Sequence, residues 1–247
     1  MHSEKTIYNY TDLNLFTARN IDLPRKVRYR QRKKGGERFK VDKACRIDRS
    51  YDDFLSFMKE NPDTAVVEMD TVEGVKGGKV LLTIHFTTSS FMLAYIRDAN
   101  TSQSVIDVFG YLYATLGKEV FKSLFPLILT DGGSEFTNPL AIEFDSAGEQ
   151  RTKVFYCDPS SPYQKGAVEN NHEMIRRIVP KGKSFDKYSQ DDIKLMMNHI
   201  NSYGRKKLND KPPHLLFSFL HGTDVLRKLD SQLISPNDIV LTPELLK

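Results

Sequence analysis

Cysteine is scarce in this 247-residue chain: Cys45 and Cys157 stand far apart, with no Cys-x-x-Cys spacing. That argues against a structural zinc site and gives little support to a disulfide framework, so a reducing cytoplasm is the expected compartment. Long apolar runs are missing as well. No stretch approaches the roughly 20 residues of a membrane span, and the opening MHSEKTIYNYTDLNLF lacks the basic-then-apolar order of a secretory signal. No internal repeat is present. Excess charge is also slight, at a formal +4, but its distribution is uneven. Pro24 to Lys40 holds nine Lys/Arg against one Glu, a local +8 that leaves −4 for the remainder.

What is present suits one medium domain with appendages. Residues 1–48 read as a basic arm or linker, because apolar periodicity is weak there and the basic run ends in Gly35-Gly36. Tyr51, Phe54, Leu55 and Met58 predict a short amphipathic helix stopped by Asn61-Pro62. Ala65–Thr71, Lys79–Phe86 and Phe91–Arg97 then read as three strands of an antiparallel meander. From Ser102 the period becomes helical, through Val105, Phe109, Leu112 and Leu116 to a C-cap at Gly117. Leu124–Thr130 and Thr152–Cys157 read as two more strands. A helix after Pro162 carries Val168, Ile175, Ile178 and Val179 and ends before Pro180. Ser189 opens another with Asp192 at the capping-box position, running to Gly204. Residues 49–204 form the expected core, and 205–247 a C-terminal helical extension with small helices at Leu215–Leu220 and Asp224–Leu229.

Three acids stand at informative places: Asp70 within a strand, Asp131 at the carboxyl end of another, and Glu169 on a helix. Phosphodiester cleavage by two metal ions needs carboxylates from separate elements around ions about 3.5–4 Å apart, and hard oxygen ligands suit Mg²⁺. Taken singly, each has an ordinary reading. Asp131-Gly132 can close a hairpin, and Asp70 can be a hydrogen-bonded strand acid with Glu68 as rival ligand. Glu169 can lie on a solvated helix face, with Glu173 as its rival.

The segments VEMDTVEG, LLTIHF, LTDGGSEF, FYCDPSSPYQKGAVENNHEMIRRIVPKG and MMNHINSYGRKKLNDKPP resemble, in that order, the catalytic region of bacterial insertion sequence 30 family transposases, within the retroviral-integrase-like DDE superfamily. The resemblance spans roughly Thr6 to Gly222. It implies an α/β, ribonuclease-H-like fold, a mixed five-stranded sheet flanked by helices, with Asp70 beside Asp131 and Glu169 completing a triad from a nearby helix. Two ions of Mg²⁺, or Mn²⁺ in substitution, are the implied cofactors. Asp70 and Asp131 would ligate the metals, Asp131 bridging them. Two features depart from the family. Gly132 stands where members usually carry Asn, and nothing before Thr6 could hold their helix-turn-helix region. The chain therefore reads as a truncated or separately expressed catalytic part.

Double-stranded DNA, as element ends and target, is the implied partner of a homo-oligomer assembled on DNA, in a bacterial, nucleoid-associated setting without membrane. In the arm, Arg25, Lys26, Arg28, Arg30, Arg32, Lys33 and Lys34 alternate with Tyr29 and precede Phe39, a composition suited to salt-sensitive phosphate contact. Its ordinary reading is a solvated linker. Gln164, Lys165 and Arg176 are expected to position phosphates, although Arg176 could instead pair with Glu173 or Glu169. The expected activity is metal-dependent DNA cleavage followed by attack of the freed 3′-hydroxyl on another strand. The alternatives are a non-transposing DNA-binding or inhibitory partner of full-length transposase, and a plain structure-selective nuclease.

Overall fold

β1 (Val66–Glu73) is the central strand. β2 (Val80–Phe86) runs antiparallel along one side, with β3 (Phe91–Arg97) antiparallel beyond it. On the other side β4 (Leu127–Thr130) runs parallel to β1, and β5 (Val154–Tyr156) parallel to β4. The sheet order is thus β3-β2-β1-β4-β5, mixed and five-stranded, which is the ribonuclease-H-like arrangement. The computed structural model describes residues 3–18, 44–159 and 161–247. Two compact units result, Met1–Lys40 and Val41–Lys247. In the first, the stretch read as a basic arm or linker carries a helix, α1 (Glu4–Asp12), capped by the Ser3 hydroxyl. Its sequence periodicity is weak, but the cap supplies a local start.

In the second unit the three apolar runs pair as the expected antiparallel meander. A parallel β4 then needs a crossover. α3 (Ser102–Leu116) and α4 (Lys118–Leu124) provide it, joined at Gly117, whose φ of 83° suits a residue without Cβ. The apolar run expected to be a strand from Leu124 is therefore divided: its beginning closes α4, and only Leu127–Thr130 pairs in the sheet. Phe121 stacks on Phe125 at 4.7 Å and meets Phe109 edge-on at 6.3 Å, so that burial against α3 supports helix where apolar content alone fits either state.

Side-chain alternation assigns the two sheet faces. Val67, Met69, Leu82, Ile84 and Phe86 turn towards α3 and α4 in the largest core cluster. Val72 and Leu81 turn the other way, against α6 (Gly166–Ile178) and α7 (Gln190–Ser202), through Met174, Ile175, Ile178, Ile193 and Met196. On that second face α2 (Tyr51–Glu60) covers β4 and β5 with Phe54 against Phe155. Both α2 and α7 open with a capping box, Ser50/Asp53 and Ser189/Asp192.

The segment after residue 204 joins the same hydrophobic body. α8 (Pro213–His221) buries Phe217 against Phe91 at 4.2 Å, and α9 (Thr223–Lys228) contributes Val225 and Leu226 to the largest cluster. Across the sheet end, α5 (Pro139–Glu143) supplies Glu143. This buried carboxylate takes both nitrogens of the Arg49 fork, at 3.1 and 2.6 Å, and the Val154 amide at 2.9 Å. No described helix is long and apolar enough to cross a membrane.

Candidate active site

Glu68, Asp70 and Val72 share one face of β1, so Asp70 points into the layer between the sheet and α6. The parallel register pairs Glu68 with Leu129, and two residues further along both strands this places Asp70 alongside Asp131. Thr130 holds that register by donating its hydroxyl to the Met69 carbonyl at 3.1 Å.

A buried cation joins the two carboxylates. Lys165, on the 3₁₀ turn Pro162–Lys165, places Nζ 3.4 Å from Asp70 Oδ2 and 3.6 Å from Asp131 Oδ2. It also donates to the Met69 carbonyl at 3.3 Å. Asp70 is further held by the Thr71 amide at 2.8 Å, and Asp131 by the Gly133 amide at 3.0 Å. The latter is an Asx-type turn leading into the 3₁₀ turn Ser134–Phe136, so the hairpin reading of Asp-Gly does not apply. Burial pushes the Asp70 carboxyl above its ordinary range, against the pull of Lys165, and the negative charge of Asp131 raises it further. Two acids in this state favour a cation between them. Their oxygen donors fit a divalent ion in the position that Lys165 now holds.

The α6 residue facing Asp70 is His172, one turn after Glu169. Its Nε2 lies 2.8 Å from Thr83 Oγ1, and its Nδ1 lies 4.0 Å from Asp70 Oδ2, beyond hydrogen-bond range. Burial pushes this imidazole down to about 4, with the Lys165 and Arg176 charges adding to the effect, so the ring is neutral near pH 7. Glu169 itself lines an open cleft with His172, Glu173, Arg176, Arg177 and Lys181. Among the described residues no three His, Cys, Asp or Glu side chains are gathered closely enough to hold one metal. Asp70 and Asp131 are thus brought together at Lys165, and Glu169 stands on α6 one turn before His172.

Glu68, the rival ligand, has a different role. Its Oε2 accepts the Val168 amide at 2.6 Å, in the first turn of α6, and lies 3.6 Å from Nδ1 of the fully buried His85. A strand acid thus fixes the helix that carries Glu169 and His172. Gln164 and Lys165 are engaged by the protein. Gln164 exchanges hydrogen bonds with Asp158, accepting its amide at 2.7 Å and donating to its carboxylate at 2.9 Å. Arg176 pairs with neither Glu173 nor Glu169; it donates to the Glu73 carbonyl at 2.7 Å, and its other terminal nitrogen is buried without a hydrogen-bond partner. Arg25, Lys26, Arg28, Arg30, Arg32, Lys33 and Lys34, with Tyr29 and Phe39, lie outside the described residues.

Sequence reasoning passed over Arg46, which closes the 3₁₀ turn Ala44–Arg46 and donates from Nη2 to the Gly132 carbonyl at 2.7 Å. No spacing signal links the two positions, because 86 residues separate them.

No protein-family model matches the chain. Among curated proteins it is 30% identical over 151 residues to the transposase for insertion sequence element IS4351 of Bacteroides fragilis, covering 61% of this chain and 44% of that protein. It is 29% identical over 146 residues to the transposase InsI for IS30A of Escherichia coli K12, covering 59% and 36%. The match to the probable transposase for insertion-like sequence element IS1161 of Streptococcus salivarius is 28% over 231 residues, covering 92% and 58%. The chain thus spans between about a third and three fifths of the length of these relatives. Of solved structures, the catalytic core domain of BIV integrase aligns with a TM-score of 0.44 at 15% identity, over 64% of this chain and 97% of that one. The fold assignment rests on the strand order and not on that alignment. By sequence, the chain is a homologue of insertion-sequence transposases, those of IS30 elements among them.

Proposed function

We propose that this chain is the catalytic core of a DNA transposase, cleaving a DNA strand at an element end and joining the freed 3′-hydroxyl to a second strand. The observation that carries the reading is the pair of strand-borne aspartates sharing one buried cation, in a homologue of insertion-sequence transposases. Bound Mg²⁺ or Mn²⁺, two ions in the full site, would supply charge neutralisation at the phosphate and an activated nucleophile. Asp70 and Asp131 would hold the metal. Their backbone contacts, to the Thr71 and Gly133 amides, fix one oxygen of each and leave the other directed at the shared cation.

Lys165 neutralises the pair in this structure, and with a metal held there instead its ammonium would be available to a DNA phosphate. Glu169, on α6 one turn from the His172 that already faces Asp70, would be the third ligand. Neutral His172 holds Thr83 and adds no positive charge to compete for the carboxylates. Arg176 and the basic arm, Arg25 to Lys34, contribute phosphate contacts. Double-stranded DNA is the substrate, and a homo-oligomer on paired ends is the working form, in the nucleoid of a bacterial cytoplasm.

The test is Mg²⁺- or Mn²⁺-dependent cleavage and joining of element-end DNA, with the recognition region supplied. Asp131→Asn should lose about 10²-fold or more in both steps. Unchanged turnover in that variant removes the proposed metal centre. Cleavage without 3′-hydroxyl joining favours a nuclease, and DNA binding without cleavage favours an inhibitory partner.

A further inference from the structure

Asp131 lines one wall of a cleft of about 400 Å³ whose other walls are Arg46, Gly132, Gly133, Cys157, Asp158 and Pro159. Arg46 is the cation of this cleft. Its guanidinium lies 5.6 Å from the centre of the Tyr156 ring and is tethered by one bond from Nη2 to the Gly132 carbonyl. Nε is buried and has no hydrogen-bond partner among the described residues. Among the described residues, no carboxylate lies within ion-pair distance of it. A guanidinium seldom goes without an anion in such a setting, since its planar fork binds carboxylate or phosphate through paired donors.

Gly132 makes this placement possible. A Cβ at that position would lie 2.2 Å from Nη2 and 2.6 Å from Cζ of Arg46, so any side chain there must displace the guanidinium. The displaced group is the far end of a flexible side chain, and the backbone need not move. Occupation of the space over Asp131 is thus exclusive: either Arg46 stands there or a residue 132 side chain does.

We propose that Arg46 is a phosphate clamp, binding a backbone phosphate of the DNA strand that lies across Asp131, and that Gly132 is the residue that admits it. This deepens the transposase reading and rests on it for the identity of the anion. The clamp adds one charge-assisted contact beside the carboxylate that would hold the metal, positioning the strand without reading its bases.

The experiment uses the full chain with a short DNA duplex in EDTA. Binding is followed by fluorescence anisotropy across salt concentration, with thermal denaturation confirming that each variant is folded. Arg46→Ala should weaken binding about tenfold at low salt and reduce the slope of log K against log salt by about 1. Arg46→Lys should restore the slope but only part of the affinity, because the charge returns without the fork. Gly132→Ala should reproduce the Arg46→Ala loss, and the double variant should be no worse than either single one. An unchanged salt slope in Arg46→Ala, or additive losses in the double variant, overturns the clamp and leaves Arg46 as a brace for the Asp131–Gly133 loop. Mg²⁺-dependent cleavage of element-end DNA by the wild type with the recognition region supplied, run alongside, separates the two readings. A lost slope with no wild-type cleavage sinks the transposase activity alone, and cleavage with an intact slope in Arg46→Ala sinks the clamp alone.

Discussion

Replacing Lys165 with methionine keeps most of the side-chain stem and removes the ammonium that joins Asp70 to Asp131. At 3.4 and 3.6 Å the two contacts are each worth about 4–5 kcal/mol of attraction at an effective dielectric near 20, before desolvation. Withdrawal of the ammonium from water offsets several kcal/mol of this, and truncating one partner of a buried pair typically costs about 3–5 kcal/mol. Asp70 can relieve the strain by taking a proton, since burial already raises its carboxyl, which draws the loss towards the lower limit. In a chain of this size 1 kcal/mol corresponds to about 2–4 °C, so Tm in EDTA should fall by roughly 6–12 °C.

Magnesium should act in the opposite sense. In the wild type the ion must displace a tethered ammonium, whereas in Lys165→Met it meets two carboxylates with no competitor. Binding that favours the native state stabilises it by about 2.7 kcal/mol at 100 times Kd. The difference in Tm between Mg²⁺ and EDTA, measured by calorimetry without DNA, should therefore be larger in the variant. Equal Mg²⁺ responses in the two proteins, or a variant as stable as the wild type in EDTA, would refute the idea that Lys165 occupies the ion's position.

Three further outcomes follow from other parts of the molecule. Glu143→Ala leaves the Arg49 fork and the Val154 amide without their shared acceptor, and chemical denaturation should register a loss of about 3–5 kcal/mol. A loss below 1 kcal/mol would mean that water replaces the carboxylate. Phe217→Ala removes a fully buried ring stacked on Phe91, and should cost about 3–5 kcal/mol in one cooperative transition if residues beyond 204 belong to the same folding unit. A separate early transition would contradict that. His199 Nδ1 accepts the Val240 amide at 3.1 Å, and burial lowers its pKa from 6.5, so the folded state favours the neutral ring. Its contribution is complete above the unfolded value and is lost as pH falls below about 6.5. The bond is worth about 1 kcal/mol. His199→Asn, which keeps an acceptor but does not titrate, should show a shallower fall of Tm between pH 7 and 5 than the wild type, and parallel curves would refute it.

Elements whose signals are local were legible in the sequence. Ser189/Asp192 announces its helix because a cap is a contact between near neighbours, and the capping box is present; Ser50/Asp53 forms a second one. The meander followed from three short apolar runs separated by turn signals, and the parallel register of β1 and β4 sets Asp70 beside Asp131. Misreadings occurred where local sequence is neutral. Leu124 reads as strand by composition, yet α4 carries it as helix because Phe121 and Phe125 find their partners on α3. Phe217 shows no sign in its own segment that it will stack on β3.

The site obeys the same division. Strand register sets Asp70, within β1, beside Asp131, directly after β4, so their proximity follows from the sheet. Glu169 depends on the placement and rotation of a helix, and contacts from elsewhere set both. Glu68 takes the Val168 amide, Thr83 takes His172, and Arg176 reaches the end of β1. These contacts put His172 opposite Asp70, with Glu169 a turn away. Shifting that balance requires a change in what Asp70 and Asp131 share, since Lys165, immediately before α6, is bonded to both. An ion taking the place of Lys165 would release the contacts of the turn leading into α6, and so would couple occupation of the pair to the position of Glu169. Glu68→Gln tests this coupling. The amide can still accept from Val168 but carries no charge, so α6 should be held less firmly, and Mg²⁺ affinity measured by calorimetry should change by severalfold with Asp70 and Asp131 intact. Identical affinity would show that the carboxylate pair binds its ion independently of α6.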